Sequence, residues 1–287
     1  MNRITWRQFK RHRPALAGIV VIALFALAAV FAPVISAYDP ERNDLDIRFQ
    51  PPSAAHIMGT DELGRDLFTR ILYGSRISLT IGVLAMSLAV TVGALVGALA
   101  GFYGGWVDNG LMRLTDVFLA FPRLFVLILV TTILRQLNLA WLRASDWQPI
   151  VIVIGSLSWM SVARLVRAAY LSIKEMEFVQ AARSIGARNA RIMFSHILPN
   201  AASPIIVAAT LGVAASILTE SGLSYLGFGV QPPTPTWGNL LRNAQAQMTY
   251  APWTAIFPGL MIFSAVIAIN YIGDGLRDAL DPRQGVK

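Results

Sequence analysis

Four side chains suited to acid–base chemistry or metal binding lie close together in the first quarter of the chain. They are His56, Asp61, Glu62 and Asp66. Carboxylates and a histidine at such short spacing could exchange protons or hold a cation. However, no second cluster completes a site of this kind, since the chain has three histidines and no cysteine. We therefore expect no catalytic residue, no metal ligand and no disulfide, and we interpret His56 as an ordinary loop residue.

The composition indicates what kind of fold must position these residues. Hydrophobic residues make up 55% of the 287 positions and charged residues only 14%, whereas soluble domains carry about 25% charged residues. The net charge of +8 does not require a nucleic-acid partner, because membrane proteins concentrate lysine and arginine in cytoplasmic loops. The sequence predicts an all-α polytopic membrane protein with no separate soluble domain.

Six apolar runs are long enough to cross a bilayer, which takes about 20 residues per helix. They cover residues 14–36, 78–102, 114–134, 149–170, 201–219 and 253–272. A signal peptide is the alternative for the first run, but that run exceeds the usual length of about 7 to 15 apolar residues. We therefore interpret it as a retained transmembrane helix.

The order of these runs predicts how the chain is divided. Residues 1–13 form a cytoplasmic tail, 14–36 the first transmembrane helix, 37–77 an extracytoplasmic loop and 78–287 a five-helix core. The segments then assigned to the inside carry 15 lysines and arginines and those assigned to the outside carry eight. This bias agrees with the preference of basic residues for the cytoplasmic side and places both termini there.

Small residues in the second run predict a close helix contact. Gly93, Gly97 and Gly101 recur every fourth residue, which lets two helix backbones approach each other in a membrane. The partner helix could belong to this chain or to another subunit.

Two further features leave alternatives open. Asp116, Pro122 and Arg123 lie toward one end of the third run, where intramembrane charge could be functional; we favour side chains that extend to the interface instead. The Gly- and Pro-rich segment 220–238 cannot be a continuous helix. It either lines a pathway or docking surface on the outer face, or forms a rigid loop around a buried Trp237.

Residues 173–200 form a polar, basic segment between apolar runs. Its first helical pattern places Phe178, Ala181, Ala182 and Ile185 on one apolar face, and Gly186 then interrupts it. A second pattern follows, with apolar residues at Ala190, Met193, Phe194 and Ile197 before Pro199. This predicts two short helices joined by a glycine turn, although a basic cytoplasmic loop without a specific role is the alternative.

The spacing in this segment resembles the coupling motif of ABC importer permeases. The motif reads Glu-Ala-Ala, three residues, Gly, nine residues, Ile-x-Leu-Pro, and the chain has Gln180-Ala181-Ala182, Gly186 and His196-Ile197-Leu198-Pro199. Gln180 and His196 depart from it in the manner of the dipeptide, oligopeptide and nickel branch of that family. Residues 59–66 and 223–238 are similar to two other signatures of the same branch.

This resemblance implies the type I importer permease fold and a non-catalytic permease subunit. The implied partners are a second homologous permease, two cytoplasmic ATPases and an extracytoplasmic solute-binding protein, in a bacterial or archaeal cytoplasmic membrane. The chain has no phosphate-loop pattern, so ATP and Mg²⁺ would be bound by the ATPases and no cofactor by this chain. The residues implied to couple to the ATPases are Phe178, Gln180, Ala181, Ala182, Gly186, His196 and Pro199.

The resemblance leaves the transported solute open among dipeptides, oligopeptides, glutathione, nickel chelates and small glycans. An ion-coupled secondary transporter is the alternative function, but it needs paired charges deep in the spans, and four of the six runs are almost free of charge. An intramembrane hydrolase would need a nucleophile with a base or a metal cluster.

Overall fold

The computed structural model describes residues 8–137 and 146–280. Within these ranges the chain is helical and has no strands beyond an isolated bridge between Thr60 and Asp66. Residues 1–7 of the predicted tail, 138–145 of the predicted outer loop over 135–148, and 281–287 lie outside the described ranges.

Ten helices of eight or more residues organise the described ranges. They are α1 (Arg13–Val30), α2 (Leu67–Tyr103), α3 (Gly105–Ala120), α4 (Arg123–Gln136), α5 (Gln148–Ser156), α6 (Trp159–Ile173), α7 (Glu177–Ser184), α8 (Ala202–Tyr225), α9 (Trp237–Ala244) and α10 (Trp253–Leu280). Shorter helical turns cover Ala32–Ile35, Leu45–Ile47, Asn189–Arg191, Leu198–Asn200 and Gln245–Gln247, and Ile192–Ile197 is a π-helix.

Four described helices, α1, α2, α8 and α10, are each long and apolar enough to cross a membrane. The pairs α3–α4 and α5–α6 raise that number to six if each pair is one span, but they are bent by 90° and 42°. The spans predicted over 114–134 and 149–170 are therefore each interrupted by a bend. Pro122 and the extended Phe121 end α3, because proline lacks the N–H that would continue the helix.

The longest helix, α2, packs against α1, α5, α6 and α8. It begins at Leu67, inside the range 37–77 that the sequence assigned to a loop. The carboxylate of Asp66 accepts a hydrogen bond from the backbone N–H of Thr69 at 2.8 Å, which satisfies one of the free donors at the helix start. The polar residues of the first turns therefore belong to a capped helix.

The three glycines of α2 lie against α6. A Cβ added to each would meet α6 at 2.4 to 2.6 Å: the Trp159 oxygen from Gly93, the Ala163 oxygen from Gly97, and the Tyr170 Cβ from Gly101. No side chain fits at these distances, so the two backbones approach directly. The partner of this glycine face is thus a helix of the same chain.

The segment after α8 is fixed by a buried polar network. Trp237 is fully buried, and its ring N–H donates to Ser75 Oγ of α2 at 3.1 Å. Its backbone N–H donates to Ser78 Oγ at 3.2 Å. The fully buried Glu220 carboxylate accepts a hydrogen bond from Ser224 Oγ at 2.7 Å. Of the two alternatives predicted for the segment 220–238, these contacts agree with a rigid loop around a buried Trp237.

Candidate functional site

The segment 173–200 connects α6 to α8 and contains the motif of the sequence analysis. It consists of α7, a turn at Gly186, the helical turn Asn189–Arg191 and the π-helix Ile192–Ile197. Gly186 has φ +81°, in the left-handed region that side chains disfavour. Glycine therefore permits the reversal between the two helical pieces.

One face of this segment is buried against α2 and α6. Its members are Val179, Ala182, Ile192, Met193 and Ile197, which cluster with Phe102 of α2 and with Val166 and Tyr170 of α6. Two hydrogen bonds add to this apolar contact: Tyr170 OH donates to the Met193 carbonyl at 3.0 Å, and Lys174 Nζ donates to the Gly101 carbonyl at 3.1 Å. The segment is therefore attached to the α2–α6 pair along its length.

Three large apolar side chains of this segment are exposed. Phe178 is 40% exposed, Phe194 46% and Ile185 85%. Arginines at 183, 188 and 191 are exposed around them. We call Phe178, Ile185 and Phe194 the exposed apolar patch. Large apolar groups beside charged ones on a surface are typical of a protein-binding site.

The single apolar face predicted for α7 needs correction. Ala182 is buried, whereas Phe178, Ala181 and Ile185 are exposed. The residue that packs inward beside Ala182 is Val179, because the helix turns about 100° between neighbouring residues. The apolar residues of α7 therefore divide into two sets: Val179 and Ala182 pack inward, and Phe178 and Ile185 are exposed.

The other predicted motif residues take distinct positions. Gln180, Gly186 and Pro199 are exposed, and His196 is half-buried. Only Ala182 of the seven is buried against the body of the protein. The motif therefore lies mostly on the side of the segment that a partner could reach.

Two ion pairs between α3 and α6 were missed by the sequence analysis. Arg167 binds both carboxylate oxygens of Asp108, and Arg164 Nη2 lies 2.5 Å from Asp116 Oδ1. The spacing could have predicted this contact, because residues 164 and 167 lie on one side of their helix and residues 108 and 116 lie on one side of theirs. Asp116 therefore pairs with Arg164, and both side chains are about half exposed.

The histidine and carboxylates between residues 56 and 66 contact neighbouring side chains of the same loop. His56 is buried, lies 3.0 Å from Asp66 through Nδ1, and has its ring centre 4.8 Å from that of Tyr38. Asp61 accepts from Arg65 Nε at 2.7 Å. His56 therefore lies in a loop, as interpreted from the sequence, and it is also buried against the residue that caps α2.

The remaining carboxylate of that cluster, Glu62, accepts hydrogen bonds from Arg65 at 3.2 Å and from Asn243 at 2.9 Å. Burial, and then the neighbouring charge of Asp61, raise the pKa of Glu62. Residues 8–137 and 146–280 contain no group of three or more histidine, cysteine or acidic side chains that could hold a metal ion. The hydrogen bonds of this cluster therefore fix the loop that leads into α2.

Comparisons with known proteins agree with the motif. Residues 93–286 match the family described as the inner membrane component of binding-protein-dependent transport systems, and residues 1–52 match the N-terminal transmembrane domain of oligopeptide transport permease C. The chain is 42% identical to the dipeptide transport system permease protein DppC of Alkalihalophilus pseudofirmus over 281 residues, which is 98% of this chain and 90% of that one. It is 43% identical to the glutathione transport system permease protein GsiD of Escherichia coli over 279 residues, covering 97% and 89% of the two chains.

Proposed function

Because the chain belongs to the family of binding-protein-dependent transport inner membrane components, and is thus the permease of an ABC importer, we propose that it carries small peptides across the membrane. Relatives named for dipeptide and for glutathione transport support this solute class. Both solutes are short peptides with a free carboxylate. None of these comparisons favours the ion-coupled alternative.

The proposed assembly follows from the same family. This chain pairs with a second homologous permease, and two cytoplasmic ATPases bind ATP and Mg²⁺ and perform the hydrolysis. An extracytoplasmic binding protein delivers the solute. The chain itself is non-catalytic, crosses the bacterial cytoplasmic membrane six times with each bent pair counted as one span, and has both termini inside.

The observation that carries this proposal is the exposed apolar patch on an otherwise anchored segment. Phe178, Ile185 and Phe194 are exposed, while Val179 and Ala182 pack in the apolar cluster with α2 and α6. A partner ATPase that packs on the patch would therefore move α2 and α6 with it. The resulting alternating access is a switch between two packings with different contacts.

A substitution within the patch tests this function. Ile185→Asp places a charge where an ATPase would bury an apolar side chain, and it does not touch the packing of the segment, since Ile185 is 85% exposed. We expect ATPase subunits to be lost when the variant is purified in mild detergent, and ATP-driven uptake of dialanine by the reconstituted complex to be abolished.

The matched control is Ile57→Asp, since Ile57 is an isoleucine with 63% exposure on a different surface. It should retain the ATPases. Retention of the ATPases by Ile185→Asp as well would contradict the proposed docking. Ala182→Asp is not a suitable test, because it would bury a carboxylate in the apolar cluster and weaken the fold.

A further inference from the structure

A cleft of about 230 Å³ lies between the two bent helix pairs and the helices α2 and α8. Arg123, Ser158, Ser161 and Ser216 provide its polar lining. The remaining walls are apolar or small, among them Met86 of α2 and Gly212 of α8. The cleft thus combines one cation and three hydroxyls with apolar walls, as small-molecule sites do.

The cleft lies near the middle of the membrane-spanning helices. Met86 is close to the midpoint of α2, and Gly212 is close to the midpoint of α8. Both bends face it as well, because Arg123 is the first residue of α4 and Ser158 immediately precedes α6. Interrupted helices near the membrane midplane are where transporters place solute sites.

Arg123 is the unusual member of this lining. Its Nη2 donates to Ser158 Oγ at 2.8 Å, but no carboxylate among the described residues pairs with it. The neighbouring arginines at positions 164 and 167 are both paired with aspartates. Arg123 is exposed at the bend between α3 and α4, and its guanidinium contacts the residue that precedes α6.

A cation within a membrane is costly without a counter-charge. The cleft therefore favours an anion, and a guanidinium matches a planar carboxylate better than any other common anion of its size.

We propose that this cleft binds the carboxylate of the transported solute, with Arg123 as its counter-charge. This proposal rests on the proposed function as a peptide importer and adds to it a position on the pathway inside the permease. Ser158 holds the guanidinium, because its hydroxyl accepts from Arg123 and donates to the Ile154 carbonyl. The solute would be oriented by its carboxyl end as it passes the midplane.

The first experiment probes the site without requiring transport. The complete complex, in nanodiscs and without the binding protein, is treated with phenylglyoxal, which labels free guanidinium groups, and labelling of Arg123 is measured by mass spectrometry. Dialanine at about 10 mM, which saturates a site of millimolar affinity, should lower labelling of Arg123 at least about fivefold. Dialanine amide, which lacks the carboxylate, should not, and labelling of the exposed Arg48 should be the same in both cases.

Two results would overturn the proposal. Labelling of Arg123 that dialanine leaves unchanged means that the cleft binds no solute carboxylate. Complete resistance of Arg123 to labelling in the absence of solute means that its guanidinium is not free to bind a solute carboxylate.

The second experiment measures uptake into proteoliposomes with the binding protein saturated by each probe. Arg123→Gln should lower ATP-driven uptake of dialanine about tenfold, the effect of losing one charge-assisted hydrogen bond, and should leave uptake of dialanine amide unchanged. Arg123→Lys should restore part of the uptake, and Arg48→Gln should have no effect.

The pattern across the two probes separates the two proposals. If Arg123→Gln lowers the uptake of dialanine and of dialanine amide equally, the proposed carboxylate site is overturned, because Arg123 would then have a structural role. If the native complex takes up neither probe, the peptide-importer function fails, and the labelling experiment still decides whether the cleft binds a carboxylate.

Discussion

The guanidinium of Arg167 on α6 and the carboxylate of Asp108 on α3 meet in a two-point contact, with Nη2 donating to Oδ2 at 2.5 Å and Nε donating to Oδ1. The pair of Arg164 and Asp116 lies about two helical turns further along α3. Since α6 leads directly into the segment 173–200, these ion pairs attach α3 to the part of the protein that carries the exposed apolar patch.

Neutralising either partner of the first pair should weaken the α3–α6 contact. Asp108→Asn and Arg167→Gln should each reduce stability by about 1 to 2 kcal/mol, between the values for exposed and for buried ion pairs. The thermal midpoint of the purified complex measures the loss. The exchange Asp108→Arg with Arg167→Asp should recover part of it, whereas additive losses in the exchanged pair would show that the contact is not specific.

A side chain on the glycine face of α2 should separate α2 from α6. Gly97→Val places a Cβ 2.4 Å from the Ala163 carbonyl oxygen, so the helices must shift, at a cost of about 1 to 3 kcal/mol. The thermal midpoint should fall. Gly110→Ala is the control, because no atom lies within 4 Å of its added Cβ, and it should not lower the midpoint.

Gly186 tests whether backbone conformation alone limits the turn in the segment 173–200. No atom lies within 4 Å of an added Cβ, and φ is +81°, so a substitution meets strain but no clash. Gly186→Val should cost about 1 to 2 kcal/mol and reduce ATP-driven uptake, while Gly186→Asn, which tolerates this conformation, should stay near the native rate. Equal uptake by the two variants would show that the turn is not constrained by φ.

Asp66 should stabilise the start of α2 through its side-chain oxygens. Asp66→Ala removes the bonds to Thr69 and leaves the buried His56 without its partner, so we expect a loss of about 1 to 2 kcal/mol. Asp66→Asn keeps an oxygen for the cap and should lose less. Identical thermal midpoints for Asp66→Ala and the native protein would contradict the capping role.

The elements that follow from local pattern could be predicted from the sequence. Long apolar runs predicted α1, α2, α8 and α10, and the spacing of Gln180, Gly186 and Pro199 predicted the segment between α6 and α8. These elements could be predicted because the lipid environment requires apolar residues in each span and a left-handed turn favours glycine. Both requirements are visible in the residue types of the segment itself.

Features decided by tertiary contacts could not be predicted in the same way. Pro122 marks the bend between α3 and α4, but its angle of 90° depends on what the two helices pack against. Phe178 and Val179 are both apolar, and only the position of α2 and α6 decides that Val179 is the buried one. The burial of His56 likewise depends on Tyr38 and Asp66, which the chain brings together in space.

The length of α2 has a consequence for how signals cross the membrane. At 1.5 Å per residue its 37 residues extend about 55 Å, well beyond a hydrocarbon layer of about 30 Å. One end is capped within the loop that holds His56, and the other end accepts a hydrogen bond from Lys174 beside α7. Because α2 is one continuous helix, a change of tilt at one end also moves the other end. A protein that binds one end and prefers one tilt therefore changes the affinity for a protein bound at the other end. Thermodynamic reciprocity requires that the second protein changes the affinity for the first by the same factor.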